Sequence, residues 1–484
     1  MKNILLLMLL PIIVFSQFSE SNLPIIVIKT NGQVILDAPR IVCDMGIIDN
    51  GFGNINSVND PFTGYNGRIS IEYRGSSSQS FPKKSYALET QDYLGNNNNV
   101  SLLGMPVEND WILYAPYSDK SLMRNFLTFY LGNKMGRYAP RTKYCELVVN
   151  GDYRGVYVLM EKIKRDNDRV DIAKLDNDDI SGDSLTGGYI IKIDKYTGSG
   201  GEYWASNYNT IGGNRLYIQY HYPQVAIMSD EQKNYIADFM DDFEYALNSP
   251  NFTNYSSGYL KYIDVLSFID FYIINELSRN IDGYRLSTYM YKDKDSKGGK
   301  LTMGPLWDYN LAFGNAYYCD GWNANGWQQD GGCFDLADVP FWFERLLEDT
   351  EYQNTLKCRW EYLRETSFHQ DVIFNFIDSL AFYLNDAQQR NFQRWDILGS
   401  YVWPNYYVGD TYQDEIYLLK SWISDRLIWM DENIPSCDSN GYITFNPKLA
   451  MIYDILGRET KEISNVPLFY LYYPGRVKKR IILE

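Results

Sequence analysis

The sequence predicts an α+β protein: a β-rich first half carrying one helix, a larger and mainly helical second half, and a small β module at the end. Three observations predict it. Short runs up to Lys192 mix apolar and β-prone residues between turn dipeptides, several with the alternation of a half-buried strand. From Asp230 onward longer runs carry helical character. After Pro435 short β-type runs return, separated at Gly457 and Gly475. The chain has 484 residues, 45% hydrophobic and 16% aromatic, enough apolar surface for one large or two ordinary domains and against general disorder.

The elements follow in order. Leu23–Ile28 and Gln33–Leu36 are β-type runs joined at Asn31-Gly32, a hairpin-turn dipeptide. Gly46–Tyr65 is rich in Gly and Asn and reads as loop. Arg68–Arg74 alternates like a half-buried strand, Gly75-Ser76-Ser77-Ser78 turns the chain, and Ser85–Glu89 returns. Trp111–Ala115 is a further strand. Asp119 is placed to cap a helix over Lys120–Met135, which Gly136 ends. Glu146–Asn150 and Gly155–Met160 form a hairpin, Asp166–Asp183 is an acidic solvated connection, and Gly188–Lys192 is a strand. Helices are expected over Glu231–Leu247, Tyr259–Arg279, Phe341–Phe368, Gln370–Leu384 and Asp414–Glu432. Two β runs, Thr288–Tyr291 and Lys300–Met303, interrupt them. Past Pro435, Ile443–Phe445, Met451–Asp454, Leu468–Tyr473 and Val477–Leu483 are short strands.

The first sixteen residues read as a secretory signal. Lys2 gives the positive start, Ile4–Phe15 is an apolar run broken by Pro11, and Ser16 is a small residue at a cleavage point. The run is too short to span a bilayer, and the most apolar later stretch, Tyr262–Leu277, carries Asp264, Asp270 and Glu276, so no integral membrane protein is expected. The net charge of −16 argues against nucleic acid and anionic membranes and favours a basic partner. Six cysteines without a CxxC pair, and only His221 and His369 as histidines, argue against a zinc site. In an exported protein disulfides are expected, Cys319 with Cys333 being the leading pair, while the other cysteines read equally as buried free thiols.

Two segments concentrate unusual residues: Asn280-Ile281-Asp282-Gly283-Tyr284, and Gly304-Pro305-Leu306-Trp307-Asp308 through Phe313-Gly314. Each sets an acid where a regular element gives way to a loop, and the β runs between them would pair and bring both acids to one end. Paired carboxylates suit phosphoryl transfer, one orienting the attacking hydroxyl and the other holding Mg²⁺. They also suit glycoside hydrolysis. From position alone, plain turn chemistry ranks first.

A series of motifs changes that ranking. Arg74-Gly75-Ser76-Ser77-Ser78 is followed by Phe81-Pro82-Lys83-Lys84-Ser85-Tyr86, then by Leu103-Gly104-Met105-Pro106 with Asp110-Trp111. Asp119-Lys120-Ser121-Leu122-Met123-Arg124-Asn125 and Asn150-Gly151-Asp152-Tyr153-Arg154-Gly155-Val156-Tyr157 with Glu161-Lys162-Ile163 come next. With the two acidic segments, this series resembles the spore-coat-protein-H (CotH) kinase family, in its order, from about Leu23 to Asp431. The module after Cys437, with Ile452-Tyr453-Asp454-Ile455-Leu456-Gly457-Arg458 and the late basic Lys478-Lys479-Arg480, resembles the C-terminal sorting domain of type IX secretion in Bacteroidetes.

The first resemblance implies an atypical protein-kinase-like two-lobed fold that uses ATP with Mg²⁺ or Mn²⁺ and acts on a protein substrate. Carried over by position, Asp282 is the catalytic aspartate and Asp308 the metal-binding one. Lys83 or Lys84 contacts phosphate; they face opposite sides of a strand, and Lys84 is marginally preferred. Arg74 and its serines lie at a phosphate-covering turn or at a plain hairpin turn. Glu161 stands at the hinge or pairs with a nearby Lys or Arg. Two positions depart from the pattern: Ser287 stands where kinases place a metal-binding asparagine, and Asn310 where the family often has a second aspartate. Both weaken metal binding on paper, so an inactive fold is an alternative. The expected organisation is a signal peptide at 1–16, a β extension at 17–65, the kinase-like domain at 66–436 and the sorting domain at 437–484. The expected location is secreted or cell-surface, reached via the periplasm and the type IX machinery. A non-catalytic surface-binding or assembly protein, and a nucleotidyl-transferring enzyme on the same fold, are the alternative functions.

Overall fold

The alternating runs of the first half close on themselves. Seven strands form a barrel: β1 (Ile25–Lys29), β2 (Ile41–Ile48), β3 (Tyr65–Arg74), β4 (Ser85–Gln91), β5 (Asp110–Tyr114), β6 (Thr142–Val149) and β7 (Asp152–Glu161). Their order is β1-β2-β3-β4-β5-β7-β6, and parallel pairing of β1 with β6, from Ile25↔Glu146 to Ile28↔Val149, completes the circle. Closure removes the free strand edges. Ile28, Ile47, Ile71, Leu88, Trp111 and Leu159 belong to the buried cluster that fills it. β1 and β2 precede residue 66, yet they are two of the barrel's own strands. The computed structural model describes residues 18–195, 202–331, 333 and 338–437, and the backbone of 448–453, 467–473 and 476–481. The signal-like residues 1–16 and the run Ile443–Phe445 lie outside the described residues.

Helix α1 (Arg124–Lys134) follows β5. It starts four residues later than the expected Lys120, because Asp119 spends its carboxylate on the backbone N–H and the guanidinium of Arg124 instead of capping an earlier turn.

A second, antiparallel sheet stands beyond the barrel. Its strands are β8 (Tyr189–Ile193), β9 (Tyr203–Asn209), β10 (Arg215–Tyr222), β11 (Thr288–Lys292) and β12 (Leu301–Met303), in the order β9-β10-β8-β11-β12. The expected hairpin is there, β11 pairing with β12 through Met290↔Met303 to Lys292↔Leu301. β9 is not legible as a strand, since only Ser206 in it is buried and no apolar alternation marks it.

Helices dominate the rest: α2 (Asp230–Asn248), α3 (Val265–Ser278), α4 (Trp342–Leu346), α5 (Thr350–Glu365), α6 (Gln370–Tyr383), α7 (Asn385–Arg394) and α8 (Tyr412–Asn433). Ser229 and Gln232 form a capping box on α2. α3 is buried on every side from Ser267 to Ser278, which explains its all-round hydrophobicity without a membrane. Among the described residues no helix is long and apolar enough to cross one. The expected single helix over Phe341–Phe368 divides, because Asp349 caps a new start by accepting from Glu351 N–H. The backbone of the final module forms a three-stranded antiparallel sheet, β13 (Lys448–Tyr453), β14 (Pro467–Tyr473) and β15 (Arg476–Ile481).

Candidate active site

Buried helix α3 sets the first acid. It ends at Arg279, whose backbone is left-handed (φ 42°), and the chain turns sharply through Asn280 to Arg285. Gly283 is needed there: a Cβ would lie 2.6 Å from Asn275 Oδ1 and 2.8 Å from the Asn280 carbonyl. Asp282 is buried, and Arg285 Nη2 donates to its Oδ1 at 3.1 Å. Two residues on, Tyr284 donates its hydroxyl to Glu276 Oε1 at 2.8 Å, which ties the loop back to α3.

The second acid follows β12. Asp308 is half-buried with a left-handed backbone (φ 63°), an uncommon conformation for a residue with a side chain. Three contacts hold its loop. Asn125 Oδ1 accepts from Tyr309 N–H at 2.6 Å, Tyr309 donates its hydroxyl to Asn275 Oδ1 at 3.1 Å, and Phe313 N–H donates to the Ser278 carbonyl at 2.7 Å. Arg124 adds bonds to the carbonyls of Ala312 (3.0 Å) and Phe313 (3.4 Å) while paired with Asp119 at 2.6 Å. The Asp119–Asn125 motif is therefore a clamp on the Asp308 loop, a role its sequence does not disclose.

The acids meet electrostatically. Burial, then Asp282, then Asp194 push the Asp308 carboxyl up to about 6, with Arg74 and Lys195 opposing. Burial is the larger cause, and the two neighbouring carboxylates add to it, so a bound cation would relieve the charge on Asp308. Arg74, at the end of β3, lays its guanidinium 5.1 Å from the Trp307 ring centroid. Among the described residues that guanidinium meets no hydrogen-bond acceptor or ion-pair partner, so its donors stay available. Lys192 pairs with Asp194 at 2.8 Å and lies 5.9 Å from the Tyr289 ring. His221 packs edge-on against Tyr289, and burial holds its imidazole down at about 4, so it is neutral beside these cations.

Both lysines and Glu161 are engaged in other contacts. Lys83 is buried and donates to the Val156 carbonyl (2.6 Å) and to Asn391 Oδ1 (2.8 Å), joining the barrel to α7. Lys84 donates to the Gln79 carbonyl at 2.5 Å, across the turn that follows Arg74. The Glu161 carboxylate is buried against Arg141 (2.8 Å) and the hydroxyl of Tyr138 (3.0 Å). Asn310 and Ser287 are half-buried, with Asn310 adjoining the Asp308 loop and Ser287 (φ 49°) leading into β11. Asp194, Lys192 and Tyr289 were not singled out from the sequence. The available signal was an acid at the end of the strand ending at Ile193, the placement shared by the other two.

Among the described residues no three His, Cys, Asp or Glu side chains form a ready-made metal cage. The donor set instead fits Mg²⁺, which takes one or two carboxylates and completes its shell with phosphate oxygens and water.

The segment after Gly314 borders this region. Cys319 and Cys333 form a disulfide with Cα atoms 4.7 Å apart, and a second joins Cys358 to Cys437. Tyr318 and Cys319 pack on Ile281 and Leu311, one residue from Asp282 and three from Asp308. Buried Glu276 accepts from Gln328 N–H (2.7 Å) and Gln329 N–H (2.9 Å) and pairs with Arg426 (3.1 Å). The disulfide loop is so fastened to α3, the helix that leads into the Asp282 turn. Cys43 and Cys145 are free and buried, with burial pushing the Cys43 thiol up to about 12.

Barrel, second sheet and helices define a mixed α+β domain with a β-rich N-terminal region and a helical C-terminal region, in which the Phe313–Ser278 backbone bond ties the segment of Asp308 to the end of the helix before Asp282. The family described as CotH kinase protein matches residues 71–430, and the chain belongs to that family. A stretch of 98 residues is 31% identical to the inner spore coat protein H of Bacillus subtilis (strain 168). That stretch is 20% of this chain and 24% of the relative, so the match spans about a quarter of the relative's length.

Proposed function

We propose that this chain is an exported protein kinase with an atypical two-lobed kinase architecture, transferring the γ-phosphoryl group of ATP to a hydroxyl of a protein. The observation that carries the reading is the half-buried Asp308 on a loop clamped by Asn125 and Arg124, within electrostatic reach of Asp282 and Asp194, with the guanidinium of Arg74 over the neighbouring Trp307. Asp308 and Asn310 would hold Mg²⁺ or Mn²⁺, which supplies charge shielding for the β- and γ-phosphates. Arg74 presents its fork to phosphate oxygens. Asp282 orients the acceptor hydroxyl and takes its proton as the oxygen bonds to phosphorus and the bond to the ADP oxygen breaks. Two disulfides support an oxidising compartment, and the signal-like start and sorting-like end support export through the type IX route. Because ATP is scarce outside cells, transfer takes place before export or in the periplasm. Incubation with labelled ATP and Mg²⁺ or Mn²⁺ tests the reading: label on this chain or on an added protein supports it. A mass increment of phosphate separates it from nucleotidyl transfer. The absence of both label and nucleotide binding would falsify it.

A non-catalytic surface-binding role has one observation in its favour. Tyr317, Tyr401, Trp403 and Tyr406 are exposed, Tyr318 stacks on Trp403 and Trp322 on Tyr406, giving an aromatic surface beside the disulfide loop.

A further inference from the structure

Position 287 carries a serine where a kinase of the proposed kind needs a metal-binding amide, and the strand next to it supplies a carboxylate. β8 pairs with β11 through Lys192↔Tyr289 and Ile193↔Thr288. Asp194 and Ser287 directly adjoin that last pair, so the two residues leave the sheet at the same edge.

We infer that Asp194 is the charged metal ligand that position 287 lacks, so that the cation site draws on two neighbouring strands. Its backbone is fixed: the Asp194 carbonyl accepts from buried Gln219 Nε2 at 2.6 Å. Its carboxylate accepts from Lys195 N–H at 2.9 Å and pairs with Lys192 at 2.8 Å, and the side chain is 22% exposed, open to an incoming ion. Its charge reaches both Arg74 and Tyr289, which pack against Trp307, the residue before Asp308. Mg²⁺ and Mn²⁺ are hard cations that favour such carboxylate oxygens over a serine hydroxyl or an amide. Lys192, as the existing counter-ion of Asp194, competes with the metal for it.

This inference rests on the proposed nucleotide site, and the test separates the two. Mn²⁺ is titrated into the full chain with a non-hydrolysable ATP analogue, and free Mn²⁺ is read by electron paramagnetic resonance. Asp194→Asn should weaken Mn²⁺ binding about tenfold. Ser287→Asn added to that variant should recover part of the loss, while Lys192→Met should tighten binding. Melting curves without metal, unchanged in Asp194→Asn, exclude a folding defect. Wild-type affinity in Asp194→Asn, alongside lost affinity in Asp308→Asn, overturns the assignment and leaves the nucleotide site standing. No Mn²⁺ uptake by the wild type overturns both.

Discussion

The guanidinium of Arg124 donates to the carbonyl of Ala312 at 3.0 Å while its other face is paired with Asp119 at 2.6 Å, all of it buried. One side chain thus fixes the start of α1 and the loop carrying Asp308. Replacing Arg124 with Ala leaves Asp119 buried without its cation, the Phe313 carbonyl without its donor and the Ala312 carbonyl with the Asn315 N–H, at a cost of about 3–5 kcal/mol. Urea unfolding gives that number. The Arg124→Lys variant restores charge but not the fork, so it should recover stability only in part and still lose nucleotide-dependent stabilisation. Full recovery of both by lysine would show that Arg124 serves as a charge alone.

Asp308 and Asp282 should separate binding from transfer. Asp308→Ala removes the charged metal ligand and should abolish the Mg²⁺-ATP-dependent rise in melting temperature. Asp282→Ala should keep that rise and lose transfer, since its partner is the acceptor hydroxyl. If both acids serve only their turns, each variant instead loses about 1 kcal/mol or more of stability with no selective effect on nucleotide.

Lys83 should make stability depend on pH. Burial among neutral acceptors pushes its ammonium down to about 7, against an unfolded value of 10.5. Between those two values the unfolded chain holds more protons than the folded one, so stability rises with pH across that window. Thermal melts from pH 7 to about 9 should climb in the wild type and flatten in Lys83→Met. Equal slopes in both proteins would remove Lys83 as the cause.

The Cys319–Cys333 bond closes a loop of sequence separation 14, worth about 3 kcal/mol by the chain-entropy relation. The double replacement Cys319→Ser with Cys333→Ser should lower stability by about 2–4 kcal/mol. It should also speed amide exchange at residues 281–284, because Tyr318 and Cys319 pack on Ile281. Unchanged exchange there would mean that Glu276 and Arg426 hold the Asp282 loop without the disulfide.

Protein recovered from the medium or surface of the native host should lack residues 1–16 and the module after Cys437. Intact-mass measurement checks this, and a mass that includes Leu468–Glu484 removes the sorting assignment.

Local chemistry made much of the molecule legible. Strand alternation and the apolar run of α3 each report their element directly, because period is a property of neighbouring residues. Asp282 and Asp308 drew notice as acids at element ends. What the sequence by itself determined was the division into a β-rich first half and a helical second half, the family and the two acidic loops; the strand expected at Gln33–Leu36 is not formed, and Ile41–Ile48 is the strand that pairs with β1 instead. Tertiary structure alone decided that β1 pairs with β6 to close a barrel, that Lys83 turns into the α7 interface while Arg74 packs over Trp307 beside Asp308, and that Asp194 and Ser287 leave the second sheet at one edge, next to the paired Ile193 and Thr288. Those relationships join residues far apart in the chain, and no local period records which strands will lie side by side.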